Sequence, residues 1–213
     1  MIIRPKHYED LVFESGPSFI QIRVPEKITP RVFWEYSIAD LESGSDSRHN
    51  INALANAKRS LHMLVDILSR AFGIDNLKTR KKANFPSKLR FCRDCGLTSP
   101  AILRKINKLR NITEHEYFIP KRSDVEDYVD IVELFLSANE GFLNQFPAGD
   151  MDWTFLAKTD DSLPDILGCD FPPYEGVIYL WQDRYQRKNS IEIKVQDKEP
   201  YFEWVQFIVN NCH

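Results

Sequence analysis

The chain has 213 residues, of which 43% are hydrophobic and 28% charged, with a net charge of −3. That composition excludes a disordered or fibrous polymer, and the charge excludes a general affinity for nucleic acid or anionic lipid, so polyanion binding has to come from a local cluster of Lys and Arg. No apolar run approaches membrane-spanning length, the opening "MIIRPKHYEDLVFESG" lacks the apolar stretch of a signal peptide, and four cysteines fit reduced thiols better than a disulfide framework, so a cytoplasmic protein is expected.

The first regular element is "PSFIQIRVPEKI", where Ile20, Ile22 and Val24 alternate with Phe19, Gln21 and Arg23 at the period of a strand. From Thr29 the period becomes helical. Thr29 stands as N-cap and Pro30 as first helical residue, with Val32, Phe33, Tyr36 and Ile38 following before a Gly/Ser break. A long helix comes next in "SRHNINALANAKRSLHMLVDILSRAFGI", carrying Ile51, Leu54, Ala55, Ala57, Leu61, Leu64, Val65 and Leu68, with Gly73 as its stop. A basic loop with Lys78, Arg80, Lys81 and Lys82 leads through Pro86 into a short helix, "SKLRFCRDCGL", closed by Gly96.

Ser99 and Pro100 open a further helix, "TSPAILRKINKLRNITEHEY". In "RSDVEDYVDIVELFLSANEGFLNQF", Ser123 and Glu126 have the spacing of a capping box ahead of Val129, Ile131, Val132, Leu134 and Phe135. After "PAGDMDW" the runs "WTFLAKT", "GVIYLWQD", "NSIEIKVQ" and "YFEWVQFIVN" are β-branched, aromatic and short, so they read as strands. The expected organisation is a strand segment at 1–28, a helical bundle at 29–147 and a β-rich region at 148–213. The fold class is then α+β, an all-α bundle core with a small antiparallel sheet that the N-terminal strand is placed to join.

The helix from Ser99 carries the chemistry. At about 100° per residue, Ile102, Leu103, Ile106, Leu109 and Thr113 share one arc, which is the side that faces a core. Opposite lie Arg104, Lys108, Asn111 and His115, while Arg110 sits at the edge of the apolar arc near Tyr117. One reading is a solvated face on which Arg110 and Glu114 form an exposed pair. The other is a phosphate-handling site, with the Asn111 amide four residues from an imidazole whose charge changes near neutral pH.

The "RNITEH" core, an arginine and a polar residue followed four positions on by histidine, resembles the signature of the HEPN (higher eukaryotes and prokaryotes nucleotide-binding) domains. The context "LRNITEHEY", the following "VEDYVDIVELFL" and the upstream "ALANAKRSLHMLV" extend the resemblance over roughly residues 30–145. It implies a helical bundle and, as in many members, a metal-independent endoribonuclease of the toxin or defence type. His115 would then handle protons, Arg110 would stabilise the charged phosphorane, and Asn111 would orient one or the other, while Arg104, Lys108 and Tyr117 contact RNA or its phosphates. No cofactor or metal is called for. One histidine cannot be acid and base in a single step, so a homodimer joining two motif helices is expected. A second reading is a non-catalytic module that holds a nucleotide, an RNA or a partner protein such as an antitoxin or nucleotidyltransferase. A third is a β-domain adaptor for which the bundle is a dimerisation platform.

Other features take simpler readings. Cys92 and Cys95 have half the spacing of a zinc site, with Cys169, Cys212 or His213 to complete it, but they also suit the buried side of a short helix. Asp160, Asp161 and Asp165 read as turn residues beside Pro164, and His7, His49 and His62 show no partner in sequence. Trp181, Tyr185, Tyr201, Phe202 and Trp204 either stack nucleobases or fill a small core, and the latter is expected.

Overall fold

In the computed structural model the chain is described at residues 2–24, 28–77, 83–98, 119–183 and 189–212. Three short strands come first, β1 (Tyr8–Glu9), β2 (Val12–Phe13) and β3 (Ser18–Ile20). Helix α1 (Pro30–Ser43) starts where the sequence places it, with the Thr29 hydroxyl accepting from the Val32 amide at 3.3 Å. Helix α2 (Ser47–Ala71) is the central element. Its Ala53 and Ala57 are fully buried, small residues that let α1 approach closely, and the Ser60 hydroxyl donates to the Pro30 carbonyl at 2.7 Å. Gly73 takes the left-handed conformation (φ +93°) just past its end, as a helix stop requires.

Helix α3 (Phe85–Asp94) packs on α2, and α4 (Arg122–Asn139) packs on both α1 and α2. The Trp34 indole donates to the Val129 carbonyl, and Arg31 makes a two-pronged bond to Glu140 at 2.7 and 3.0 Å. A single helical turn, α5 (Gly141–Asn144), leads to the strands β4 (Phe146–Ala148), β5 (Asp150–Thr154), β6 (Ala157–Lys158), β7 (Gly168–Asp170), β8 (Val177–Trp181) and β9 (Ile191–Lys194). Helix α6 (Glu199–Asn211) closes the described chain.

Five strands form one antiparallel sheet in the order β2-β5-β7-β8-β9, while β1 pairs with β6 and β3 with β4. Cross-strand partners share a face. Phe13 and Trp153, Met151 and Cys169, Leu180 and Ile191, and Ile178 and Ile193 therefore form one apolar face. Helix α6 lies on it, with Trp204 stacked against Trp153 at 5.2 Å and 15° and Phe207 against Phe13. The other face carries Asp150, Asp170, Tyr179 and Glu192 in one cross-strand row.

This arrangement corrects the expectation of an all-α bundle core. Helices and sheet share one continuous core: Phe72 at the end of α2 packs on Phe146 and Phe171, and the Tyr201 hydroxyl donates to the Phe72 carbonyl at 2.7 Å. The element that joins them is α6, a helix where the sequence pattern predicts a strand. Its β-branched and aromatic content suggested that, but Pro200 opens a helix and Tyr201, Trp204, Val205, Ile208 and Val209 recur at helical spacing, all buried. Burial of a stripe outweighs propensity.

Two smaller expectations also change. The N-terminal strand is only Ser18–Ile20, exposed throughout, and Ile22 beyond it is the buried residue. It is β2 that joins the five-stranded sheet. The capping box at Ser123 does not form: α4 begins at Arg122, whose guanidinium takes Glu126 at 2.6 Å and the Gly44 carbonyl at 2.8 Å.

Candidate functional site

Arg104, Lys108, Arg110, Asn111, His115 and Tyr117 all lie outside the described residues, as do the helix start at Ser99 and the basic loop Lys78–Lys82. What the structure gives is the frame from which the motif segment leaves and to which it returns. It leaves α3 through a double closure in which the Leu97 amide donates to the Cys92 carbonyl and the Gly96 amide to the Arg93 carbonyl, with Gly96 at φ +85°. It returns at Ile119 and Pro120 against the N-terminal turn of α2, where the Asn50 amide group reaches the Pro120 carbonyl at 3.5 Å.

A polar cluster surrounds that return point. One carboxylate oxygen of Asp46 accepts from the His49 backbone amide at 3.0 Å and lies 2.8 Å from Nδ1 of the same residue, so it caps α2 and orients the imidazole together. The backbone bond from His49 is the main cause, and its side-chain bond the next, holding the Asp46 carboxyl below the usual range. The His49 ring also fills the space beside Gly44, where a Cβ would lie 2.6 Å from it. Asn50 is buried, and among the described residues its Oδ1 has no hydrogen-bond partner. His49, without a partner in sequence, has one in Asp46 three residues before it, the spacing of an N-cap and its N3 residue.

No family model, curated protein or solved structure matches this chain. The cations of the described helices are mostly committed: Arg31 to Glu140, Arg122 to Glu126, Arg70 to Asp66 and Asp75, and Lys88, largely buried, to Asp66. A paired guanidinium is a weaker attractor for phosphate than a free one, since its carboxylate has to be displaced.

The remaining candidates resolve into structure. Cys92 and Cys95 are fully buried, and burial pushes the Cys92 thiol up to about 12 and the Cys95 thiol well above its ordinary value. They pack as small hydrophobes, and among the described residues no three His, Cys, Asp or Glu side chains converge as a metal site. His62 stacks on Phe85 at 3.8 Å. Asp160 accepts from the Ser162 amide within a turn, and Asp165 pairs with Lys158. Trp181, Tyr201 and Trp204 are core residues and Phe202 is half-buried, while Tyr185 and His213 lie outside the described residues. No described helix is long and apolar enough to cross a membrane.

Proposed function

We propose that the chain is a metal-independent endoribonuclease of the toxin or defence type, acting in the cytoplasm as a homodimer, with Arg110, Asn111 and His115 at its centre. The observation that carries this reading is the grouping of an arginine, an amide and a histidine in "RNITEH", with Arg104 and Lys108 placed by helical spacing on the same stripe as Asn111 and His115. The reading rests on that motif and not on a bundle fold. The flank that follows the motif supports it, since Pro120 is held on α2 and Arg122 on the α1–α2 turn.

In the proposed reaction the ribose 2′-hydroxyl attacks the adjacent phosphorus and the 5′-oxygen leaves, giving a 2′,3′-cyclic phosphate and a 5′-hydroxyl. His115 of one protomer takes the hydroxyl proton and the same residue of the other supplies one to the leaving oxygen. Arg110 neutralises the charge that builds on the phosphorane, and Asn111 orients the imidazole or the phosphate. Arg104, Lys108 and Tyr117 hold the strand.

A second reading, phosphate or RNA binding without cleavage, is favoured by the presence of only one such histidine per chain, which leaves a monomer short of an acid or a base. The test is incubation of the purified protein with mixed cellular RNA in EDTA, beside His115→Ala and Arg110→Ala variants shown to be folded and of unchanged oligomeric state. Cleavage with cyclic phosphate ends by the wild type and by neither variant is expected. Retained RNA binding with no cleavage in several RNA pools would leave the binding module as the function.

A further inference from the structure

Helices α3 and α6 run side by side in the same direction. The Phe91 ring meets Phe202 at 5.5 Å, and one turn further on the Gln206 amide group donates to the Asp94 carbonyl at 2.8 Å. Between them opens a cavity of about 1080 Å³, in the size range that holds small molecules. Ile74, Leu77, Phe91 and Phe202 form its apolar wall.

The charges around it are unevenly committed. Three carboxylates line the cavity, and between them they take two guanidiniums. Arg4 bonds both Glu199 and Glu203, at 3.3 and 2.5 Å, and Arg93 bonds Asp94 at 2.8 Å. Arg90 and Lys198 also line it, both are exposed, and among the described residues neither makes an ion pair or side-chain hydrogen bond. Among the described residues Arg90 and Lys198 therefore outweigh the one carboxylate charge that the shared Arg4 leaves over, and the balance facing the cavity is positive, next to an apolar wall.

We propose that this cleft is a binding site for a small organic anion, an apolar body resting on Leu77, Phe91 and Phe202 with its carboxylate or phosphate held by Arg90 and Lys198. The proposal uses none of the RNA-motif residues and does not depend on the nuclease reading. Such an anion has two sources of the same chemistry, an acyl carboxylate or a nucleoside monophosphate. The polar edge groups of Asn84, Ser87 and Gln206 suit the second, while the apolar wall suits both.

The test is calorimetric titration of the full chain with decanoate and with adenosine monophosphate, each beside its uncharged counterpart, decanol or adenosine. Saturable one-to-one binding of at least one anion is expected, with the counterpart weaker by roughly tenfold or more, and the double variant Arg90→Ala/Lys198→Ala weaker by a similar factor. Which anion binds identifies the source. Ser87→Trp, placing a large ring in the cavity from an exposed position on α3, should abolish binding while the melting temperature is kept. Equal affinity for anion and counterpart, unchanged affinity in the double variant, or no binding of either anion at millimolar concentration would overturn the assignment. The double variant changes only exposed side chains, so its result stands even if Ser87→Trp folds poorly.

Discussion

Trp204→Ala tests whether helices and sheet are one cooperative unit. The indole is fully buried, stacked on Trp153, edge-on to Phe207 at 5.9 Å, and its N–H donates to the Ile3 carbonyl at 3.0 Å. Truncating a large buried aromatic costs about 3–5 kcal/mol, and leaving the Ile3 carbonyl unpaired adds about 1 kcal/mol. Against a total stability of about 5–15 kcal/mol this is a large share, and at this chain length it corresponds to a fall in Tm of roughly 10–20 °C. Trp204→Phe keeps a ring and loses the hydrogen bond, so about 1–2 kcal/mol is expected. Urea unfolding would be followed by far-UV ellipticity, dominated by α1, α2 and α4, and by tryptophan fluorescence, which includes the sheet residues Trp153 and Trp181. With Phe72 packed on Phe146 and Phe171, both signals should share one midpoint and move together in the variant. A helical transition that stays in place while the fluorescence transition moves would refute the shared core. A shift below about 1 kcal/mol in both would refute the packing account of Trp204.

Gly73→Ala should destabilise by more than about 2 kcal/mol in the same assay, because φ is +93° and the new Cβ would lie 2.3 Å from the Gly176 Cα; Gly141→Ala, with nothing within 4 Å, should be neutral or stabilising by up to about 1 kcal/mol. The Asp46 carboxyl is held below its usual range by the His49 amide, so its contribution is present above the unfolded carboxyl value near ~3.9 and lost as pH falls through the lower folded value. Asp46→Ala should therefore lower the urea midpoint most at pH 5 and above, with the gap to wild type closing under acid; a gap independent of pH would remove the carboxylate from the account. Burial raises all four thiols, to about 12 for Cys92 and Cys212, so a disulfide reagent at pH 8 should label the native protein slowly, Cys212 first as the least buried, and all four at once in denaturant. Rapid labelling of two or more native thiols would contradict the burial.

The sequence is legible where the physics is local. Thr29 and Pro30 start α1, Gly73 stops α2 and Gly96 closes α3, since each depends on a cap or a left-handed φ that a few residues decide. Structure departs from the local pattern where a distant partner intervenes. Ser123 and Glu126 have a capping-box spacing, yet Arg122 reaches Glu126 on its own helix and Gly44 across the fold, and the box loses its acid. "YFEWVQFIVN" mixes strand-favouring residues with a helical stripe, and only the apolar sheet face under it decides in favour of the stripe. Ile20 and Val24 alternate with polar residues as a strand should, but the short pairing with Phe146–Ala148 leaves β3 exposed.

The candidate site was legible as a spacing and no further. Helical geometry assigns Arg104, Lys108, Asn111 and His115 to one stripe from sequence alone, because a period of 3.6 needs no tertiary information. Which cations are free to meet a phosphate is a different kind of fact. Arg31, Lys88 and Arg122 look as available in sequence as Lys108 does, and the fold spends each on a carboxylate: Glu140 from 109 positions away, Asp66 from the neighbouring helix and Glu126 one turn on. Arg90 and Lys198, unremarkable in sequence, are left uncommitted beside an apolar wall because Arg4 and Arg93 occupy the acids around them. A net charge of −3 thus conceals both situations, and the charge a ligand meets is set by pairing across the fold and not by composition.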